Sequence, residues 1–260
     1  MGSRVRATVL PLAGTEPGRA QLTIGAGGDR TMELDRAAEA DVFAELEALV
    51  GQGERFAVLS EEAGHRKFGA DYPLVLVDPV DGSLNAKQGV PFFGVMLALV
   101  DGPTIGDTVV GCVVNLINGE AWTAIRKQGA KRGGEPLRPM NRQSRDRLEL
   151  IALESLPSAL VGARGLIQRS TKIRILGSMA LAIAHTAAGS FDAFCAPVPV
   201  RVFDMAASLL IVAESGGVAT DIKGNALSSL PCTLETRTSL VCAPSRELHA
   251  IALLALSSTP

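Results

Sequence analysis

The stretch Leu74–Asn85, which reads LVLVDPVDGSLN, constrains the fold of this chain more than any other part of its sequence. Its first four residues are apolar and rich in valine, which is typical of a strand buried on both faces. The Asp-Pro pair that follows ends the strand, because proline has no N–H to donate to a sheet. Asp78 and Asp81 then lie three residues apart across a tight turn, and Gly82-Ser83 begin a segment whose free backbone N–H groups can bind an anion. Since neighbouring carboxylates repel each other unless a cation lies between them, the stretch predicts a metal and phosphate site.

The composition predicts a globular protein without a strong overall charge. The chain of 260 residues is 47% hydrophobic, which is sufficient for one large core or two modest domains. Its formal net charge is −2, so no broad basic field attracts nucleic acid or an anionic membrane. The apolar run PFFGVMLALV falls short of the roughly 20 residues that span a bilayer, and the first residues lack the pattern of a signal peptide. We therefore expect no nucleic-acid partner, no membrane partner and a cytoplasmic location.

The cysteines and histidines indicate neither a zinc site nor a catalytic triad. The four cysteines form no C-x-x-C pair and mostly have apolar neighbours, so we expect buried free thiols. They are Cys112, Cys195, Cys232 and Cys242. The three histidines are far apart, and none forms a pattern typical of Ser/His/Asp or Cys/His catalysis.

Two further acidic positions precede the opening stretch. Apolar residues at intervals of three and four from Thr31 predict a helix that ends near Gly51, with Asp35 in its first turns. By itself, Asp35 could be an ordinary capping or solvated acid. The segment 55–60 reads as a short strand that leads directly into Glu61-Glu62, which alone would equally suit a surface turn.

Beyond the opening stretch the pattern is that of an antiparallel sheet. The runs Phe92–Val100, Asp107–Asn115 and Glu120–Ile125 are apolar and β-branched, and Asp-Gly and Asn-Gly dipeptides that favour hairpin turns lie between them. The basic segment 126–147 reads as a solvated linker. From residue 148 strands and helices alternate, with helices predicted over 157–168, 178–188, 204–215 and 246–256. We therefore expect an N-terminal α+β domain over 1–148, which carries Glu61 and the DPVDGS turn, and a C-terminal α/β domain over 149–260.

Asp204 is the last acid of interest, in the segment VFDMAASLLIVAESGG, where an extended run becomes a helix. An Asp at that position is commonly an N-cap. The combination of D-P-V-D-G-S, the earlier Glu-Glu-x-Gly and this F-D-x-A-A start nevertheless resembles the inositol monophosphatase superfamily of Mg²⁺-dependent, lithium-sensitive sugar and inositol phosphatases. The segments GDRTMELDRAAE, GVPFFGV and RILGSMAL resemble other parts of the same family. The residues of these motifs are more similar to the archaeal-type dual fructose-1,6-bisphosphatase and inositol monophosphatase branch than to the animal enzymes.

The resemblance implies an α/β fold, a layered αβαβα sandwich with a largely antiparallel N-terminal sheet and a smaller α/β C-terminal half. It also implies two or three Mg²⁺ ions per site and a homodimer. One ion would be held by Glu61, Asp78 and the backbone carbonyl of Val80, and a second by Asp78, Asp81 and Asp204. Spacing alone does not distinguish Glu61 from Glu62, and the resemblance favours Glu61.

The resemblance also assigns the remaining catalytic and substrate-binding groups. The Ser83 hydroxyl would orient the attacking water, with Asp35 and Glu61 completing the proton network. Asp81, Gly82 and Ser83 would contact the substrate phosphate. A second phosphate would require further cations, for which Arg174 and Arg201 are candidates, together with Arg164, Arg169 and Lys172.

The predicted activity is Mg²⁺-dependent hydrolysis of a phosphate monoester by in-line attack of water, as a phosphoric monoester hydrolase. Fructose 1,6-bisphosphate and inositol monophosphate are the expected substrates, although Pro197 stands where animal inositol monophosphatases place an acid against the inositol. Two alternatives remain open. One is a phosphatase for 3′-phosphoadenosine 5′-phosphate, and the other is a catalytically silent protein that binds metals and polyanions.

Overall fold

The computed structural model describes residues 1–28, 30–138 and 147–257. These residues form one seven-stranded sheet, one five-stranded sheet and a two-stranded ribbon. The ribbon consists of β1 (Gln21–Ile24) and β2 (Arg30–Met32). The helices are α1 (Gly2–Val9), α2 (Glu33–Gly51), α3 (Ser83–Gln88), α4 (Pro157–Gly162), α5 (Arg164–Gln168), α6 (Met179–Ala187), α7 (Ala206–Glu214) and α8 (Arg246–Ser257). None of the helices in these ranges is both long and apolar enough to cross a membrane.

The two large sheets divide the strands by their order in the chain. The seven-stranded sheet has the order β3 (Phe56–Ser60), β4 (Gly64–Asp81), β5 (Gly94–Val100), β6 (Thr108–Asn115), β7 (Ala121–Ile125), β8 (Gly129–Arg132) and β9 (Glu135–Pro136). The five-stranded sheet contains β10 (Leu148–Leu153), β11 (Ser170–Ile175), β12 (Ala193–Arg201), β13 (Val218–Thr220) and β14 (Arg237–Ala243), in the order β11-β10-β12-β14-β13. Strands β4 to β7 are mutually antiparallel, which confirms the sheet predicted over 92–125.

The hydrophobic core fills the spaces between five layers. Successive residues of a strand point to opposite faces of its sheet. Val77 and Val95 therefore pack with α1 and α2, whereas Leu76 and Met96 pack with α6 and α7. The α6–α7 layer contacts the five-stranded sheet on its other side, and α5 and α8 cover the far face of that sheet. The layers run α, β, α, β, α, which confirms the sandwich that the resemblance implied.

Several elements differ from their predictions. The helix predicted over 157–168 is divided into α4 and α5, because the backbone leaves helical geometry at Ala163, which has φ −92° and ψ 6°. The helix predicted from Asp204 begins with a 3₁₀ turn at Phe203–Met205. The basic segment is not simply a linker, since it forms β8 and β9; its Arg142 and Arg145 lie outside the described residues.

The last helix has a side-chain cap, and the cysteines are unpaired as predicted. The Leu248 N–H donates to the Ser245 hydroxyl at 3.3 Å, so Ser245 caps α8. The cysteines are free, with Cys195, Cys232 and Cys242 buried and Cys112 half-buried. The domain boundary near residue 148 remains a prediction.

Candidate active site

The topology of β3 and β4 places two acids at one edge of the seven-stranded sheet. The last part of β4 runs parallel to β3, with Ser60 paired with Val77. The residues that follow these two, Glu61 and Asp78, therefore lie side by side. The Val80 N–H donates to the Asp78 carboxylate at 3.1 Å, and Asp78 and Val80 are 2% and 4% exposed. The strand does not end at the Asp-Pro pair as the sequence predicted: β4 continues to Asp81, with an irregularity in its pairing to β5 between Asp78 and Asp81.

The Asp81 carboxylate joins this turn to the N-terminus of α6. It accepts hydrogen bonds from the backbone N–H groups of Met179 at 3.1 Å and Ala180 at 2.9 Å, and from the Ser178 hydroxyl. The first N–H groups of a helix have no partner within the helix and carry partial positive charge, so a carboxylate there is stabilised. Burial nevertheless raises the pKa of Asp81 to about 6, against the lowering effect of these hydrogen bonds.

Arg201 lies between Glu61 and Asp204. Its Nη2 pairs with Glu61 Oε1, and its Nε donates to Asp204 Oδ2 at 2.7 Å. The Arg201, Glu61 and Asp204 side chains are only 15%, 14% and 11% exposed, so water screens the ion pairs weakly. The two acids raise the pKa of Arg201, so it stays charged. The other Asp204 oxygen, Oδ1, is buried and has no hydrogen-bond partner.

The cluster contains more acidic than basic side chains, since four carboxyl groups face the single guanidinium of Arg201 among the residues described above. Burial raises the pKa of Asp78 well above its usual value, and the charges of Glu61, Asp81 and Asp204 raise it further. Burial also raises the pKa of Asp204 to about 7, although Arg201 opposes that shift. Carboxylates whose ionised form is destabilised in this way are stabilised by an additional cation.

Asp35, in the first turn of α2, and Glu62 lie near these acids. Asp35 is 4% exposed and accepts a hydrogen bond from the Met32 N–H at 3.0 Å. Burial raises its pKa to about 7, with contributions from the charges of Glu62, Glu61 and Glu39. Glu62 accepts a hydrogen bond from the Thr31 hydroxyl, so the two neighbouring glutamates have different partners.

Gly82 occupies a position where any other residue would be strained. Its φ of 89° lies in the left-handed region, and an added Cβ would be 3.0 Å from the Gly177 carbonyl oxygen and 3.1 Å from Ser178 Cβ. Ser83, the first residue of α3, follows it and is half-buried. The Asn85 amide donates to the Phe92 carbonyl at 2.7 Å and the Leu176 carbonyl at 2.6 Å, which ties α3 to the five-stranded half of the molecule.

A cavity of about 460 Å³ opens beside the acids. Its described lining residues are Gly27, Gly28, Asp81, Glu154, Leu156, Gly177, Met179, Pro199, Val200, Arg201, Asp204 and Arg237. Glu154 and Arg237 were missed in the sequence, although Glu154 directly follows β10 and is therefore at a strand end. Arg174 lies elsewhere: it is exposed on the edge strand β11, and its Nη1 donates to the Ile173 carbonyl at 2.9 Å.

The oxygen atoms of these acids are suitable ligands for a hard cation. Carboxylate and carbonyl oxygens are the ligands that Mg²⁺ prefers, and the unpartnered Asp204 Oδ1 is a free acceptor for one. Within the described residues, no three acids, histidines or cysteines already surround a common metal position. The ion pairs of Arg201 give the reason, because its guanidinium lies where Glu61 and Asp204 would otherwise converge.

The fold and the site define a class of protein. An αβαβα sandwich with a buried acidic cluster, an anion-accepting turn and an adjoining cavity is the architecture of a phosphoric monoester hydrolase.

Comparison with known proteins gives the family. The model of the inositol monophosphatase family matches residues 15–258. A fructose-1,6-bisphosphatase/inositol-1-monophosphatase of Methanothermobacter thermautotrophicus is 35% identical, over 96% of this chain and 91% of that protein. An inositol-1-monophosphatase of Mesorhizobium japonicum is 34% identical, over 78% and 76%. The crystal structure of the extragenic suppressor protein suhB from Bartonella henselae superposes with a TM-score of 0.81 at 29% identity, over 100% and 96% of the two chains.

This chain belongs to the inositol monophosphatase family, a family of metal-dependent enzymes. The resemblance and the enzyme class predicted from the sequence are thereby confirmed, and the substrate is a small-molecule phosphate.

Proposed function

We propose that this protein is a Mg²⁺-dependent phosphomonoesterase that hydrolyses a sugar or inositol phosphate, with fructose 1,6-bisphosphate and inositol monophosphate as its substrates. The observation that carries the proposal is the acidic cluster at the cavity. Its carboxylates have raised pKa values, and one buried oxygen, Asp204 Oδ1, lacks a hydrogen-bond partner. This pattern suits a site that is completed by cations.

The proposed metal ligands are those that the sequence indicated. Glu61, Asp78 and the Val80 carbonyl would hold one Mg²⁺, and Asp78, Asp81 and Asp204 a second. Glu61 is favoured over Glu62 because it shares Arg201 with Asp204, whereas Glu62 is hydrogen-bonded to Thr31. Bound Mg²⁺ would neutralise the phosphate oxygens and lower the pKa of the attacking water.

The chain's own groups have distinct roles in this proposal. The Gly82 and Ser83 N–H groups bind phosphate oxygens, and the absence of a Cβ at Gly82 lets the backbone approach the phosphate. The Ser83 hydroxyl orients the water. Asp35 and Glu61 accept its proton, and the raised pKa of Asp35, about 7, suits a group that exchanges protons near neutral pH.

The role of Arg201 follows from its two ion pairs. Without added cations its guanidinium stabilises Glu61 and Asp204. A cation held by those acids would compete with the guanidinium for them, and the sequence predicts that Arg201 also contacts a substrate phosphate. The same proposal includes inhibition by Li⁺ and a homodimer, which rest on the resemblance to the family, and a cytoplasmic location, which the sequence predicted. Inhibition assays with LiCl and light scattering on a sizing column test the first two of these.

Phosphate release from a substrate panel tests the proposal. Purified protein is assayed with fructose 1,6-bisphosphate, inositol 1-phosphate and 3′-phosphoadenosine 5′-phosphate, each with Mg²⁺ and with a chelator. We expect Mg²⁺-dependent release from one or both of the first two substrates. Release from the adenosine nucleotide alone would instead indicate a nucleotide phosphatase, and no release from any of them would indicate a silent binding protein.

A further inference from the structure

Two arginines lie directly opposite each other on neighbouring strands of the five-stranded sheet. In the antiparallel pair β12–β14, Arg201 is paired with Arg237. Directly paired residues point to the same face, with Cβ atoms about 5 Å apart, and like charges in that arrangement destabilise a sheet. Both side chains line the cavity beside the acidic cluster. The arrangement therefore concentrates positive charge on one wall of the cavity.

The two arginines differ in what balances their charge. Arg201 is paired with Glu61 and Asp204. Arg237 is exposed, and its Nη1 donates to the Leu234 carbonyl and, at 3.4 Å, to the Thr236 carbonyl. Carbonyl oxygens orient a guanidinium without neutralising it. Among the described residues, no carboxylate forms an ion pair with Arg237.

The acid on the same wall does not supply this partner. Glu154 Oε1 accepts hydrogen bonds from the Ser155 N–H at 2.7 Å and from the Ser155 hydroxyl at 2.8 Å. Its carboxylate is thus held by the neighbouring residue. A planar guanidinium that is fixed from behind and open to a cavity is well suited to bind a phosphate through two parallel hydrogen bonds.

From this arrangement we propose that Arg237 binds a second phosphate of the substrate and selects sugar bisphosphates over monophosphates. The inference rests on the proposed function, which places the scissile phosphate at the acidic cluster beside Arg201. The sequence instead offered Arg174 and Arg201 for this role, together with Arg164, Arg169 and Lys172. Arg174 is not among the described residues that line the cavity, because β11 is the outer strand of its sheet.

Four variants test the assignment: Arg237→Ala, Arg237→Lys, Arg174→Ala and Arg55→Ala. Arg55 is the matched control, because it is also exposed and also donates from Nη1 to backbone carbonyls, those of Val50 and Glu54, outside the cavity. Steady-state kinetics at fixed Mg²⁺ compare fructose 1,6-bisphosphate with inositol 1-phosphate, and circular dichroism with thermal melting confirms that each variant is folded.

We expect Arg237→Ala to lower kcat/KM for the bisphosphate about 10- to 100-fold, mainly through KM, since a hydrogen bond to a charged group contributes roughly 1.5–3 kcal/mol. Inositol 1-phosphate should be hydrolysed with kcat/KM within about twofold of the wild type. Arg237→Lys should retain part of the selectivity, because a lysine keeps the charge but not the paired donors. Arg55→Ala should leave kcat/KM unchanged for both substrates.

Three results with the variants would overturn the assignment of Arg237. These are an equal loss for both substrates in Arg237→Ala, an unchanged KM for the bisphosphate, or a bisphosphate-selective loss in Arg174→Ala instead. Hydrolysis of inositol 1-phosphate but not of the bisphosphate by the wild type would also overturn it, while leaving the proposed phosphatase function intact. If the wild type released phosphate from neither substrate with Mg²⁺, the proposed function would fail and this assignment with it.

Discussion

Asp81 and Asp204 are equally buried, at 8% exposure each, yet their surroundings differ. Asp81 is bound at both oxygens by Ser178 and the first N–H groups of α6. Asp204 has one oxygen on Arg201 and the other without a partner. Asp81 thus stabilises the junction between the two halves of the molecule as well as the site, whereas Asp204 has one carboxylate oxygen that no group binds. The two acids therefore differ in how much of their hydrogen-bonding capacity the fold already uses.

Asparagine substitutions at Asp81 and Asp204 should give the largest effects and should also distinguish the two acids. We expect both Asp81→Asn and Asp204→Asn to lower kcat/KM by a factor on the order of a thousand, since each removes a proposed metal ligand worth several kcal/mol of transition-state stabilisation. Their thermal melting without metal should differ. Asp81→Asn should fold but melt at a lower temperature, because an amide replaces half of the acceptors at α6, and Asp204→Asn should melt at or above the wild-type temperature. Equal melting temperatures for the two variants would contradict the distinction.

Arg201→Met tests whether an ion pair holds Glu61 and Asp204 together in the metal-free protein. Removing one partner of a buried pair typically costs about 3 kcal/mol, so the metal-free variant should be less stable by roughly that amount in urea unfolding. Mg²⁺ should restore much of the loss, because it replaces the missing positive charge. Arg36→Met is a control, since that arginine is paired with Glu33 on the solvent-exposed surface of α2. An identical response to Mg²⁺ in Arg201→Met and the wild type would show that the arginine and the metal do not share these acids.

Ser83→Ala tests the positioning of the attacking water rather than the binding of metal ions. We expect kcat to fall about a hundredfold while KM changes little, because the hydroxyl positions a reacting group and is not needed for substrate binding. Ser83→Thr, which retains the hydroxyl, should recover most of the rate. A kcat equal to that of the wild type in the alanine variant would remove Ser83 from the mechanism.

The pH dependence of stability is the most gradual of the expected effects. Asp35 has a pKa of about 7 in the folded protein and an ordinary value of 3.8, so between these values the folded state binds more protons than the unfolded state. Metal-free stability should therefore be highest near pH 4 and fall as the pH rises towards 7, with Asp35 contributing at most about 1.4 kcal/mol per pH unit. Asp35→Asn should flatten this slope in urea unfolding measured across that range. A slope that is the same in both proteins would mean that Asp35 ionises normally in the folded state.

The sequence was sufficient for most strands and helices and, through the resemblance to the family, for the layered fold and the set of acids. The apolar run before Asp78, the hairpin dipeptides and the alternation after residue 148 are local signals, and the structure follows them closely. The division of α4 from α5 at Ala163 was not predicted. The neighbouring Gly162 has a long-range environment that no local pattern shows, since an added Cβ would lie 3.0 Å from Pro197.

The site was predictable only in its list of acids. The bonds between Asp81 and α6 span nearly a hundred positions in the chain, as the separation of 97 between Asp81 and Ser178 shows. No local pattern reveals such a contact. Arg201 was predicted as a substrate ligand, but its pairing with Glu61 and Asp204 depends on how the two sheets are packed. Arg237 was missed because its relevance comes from its register with Arg201 across β12 and β14.

The most direct test of the proposed metal site is phosphate release from fructose 1,6-bisphosphate as a function of Mg²⁺ concentration, measured for the wild type and for Asp204→Asn in parallel. We expect no release in the presence of a chelator, saturable activation of the wild type by Mg²⁺, and almost no activation of the variant. Release that is independent of Mg²⁺, or activation of Asp204→Asn equal to that of the wild type, would contradict the claim that these buried acids form the catalytic metal site.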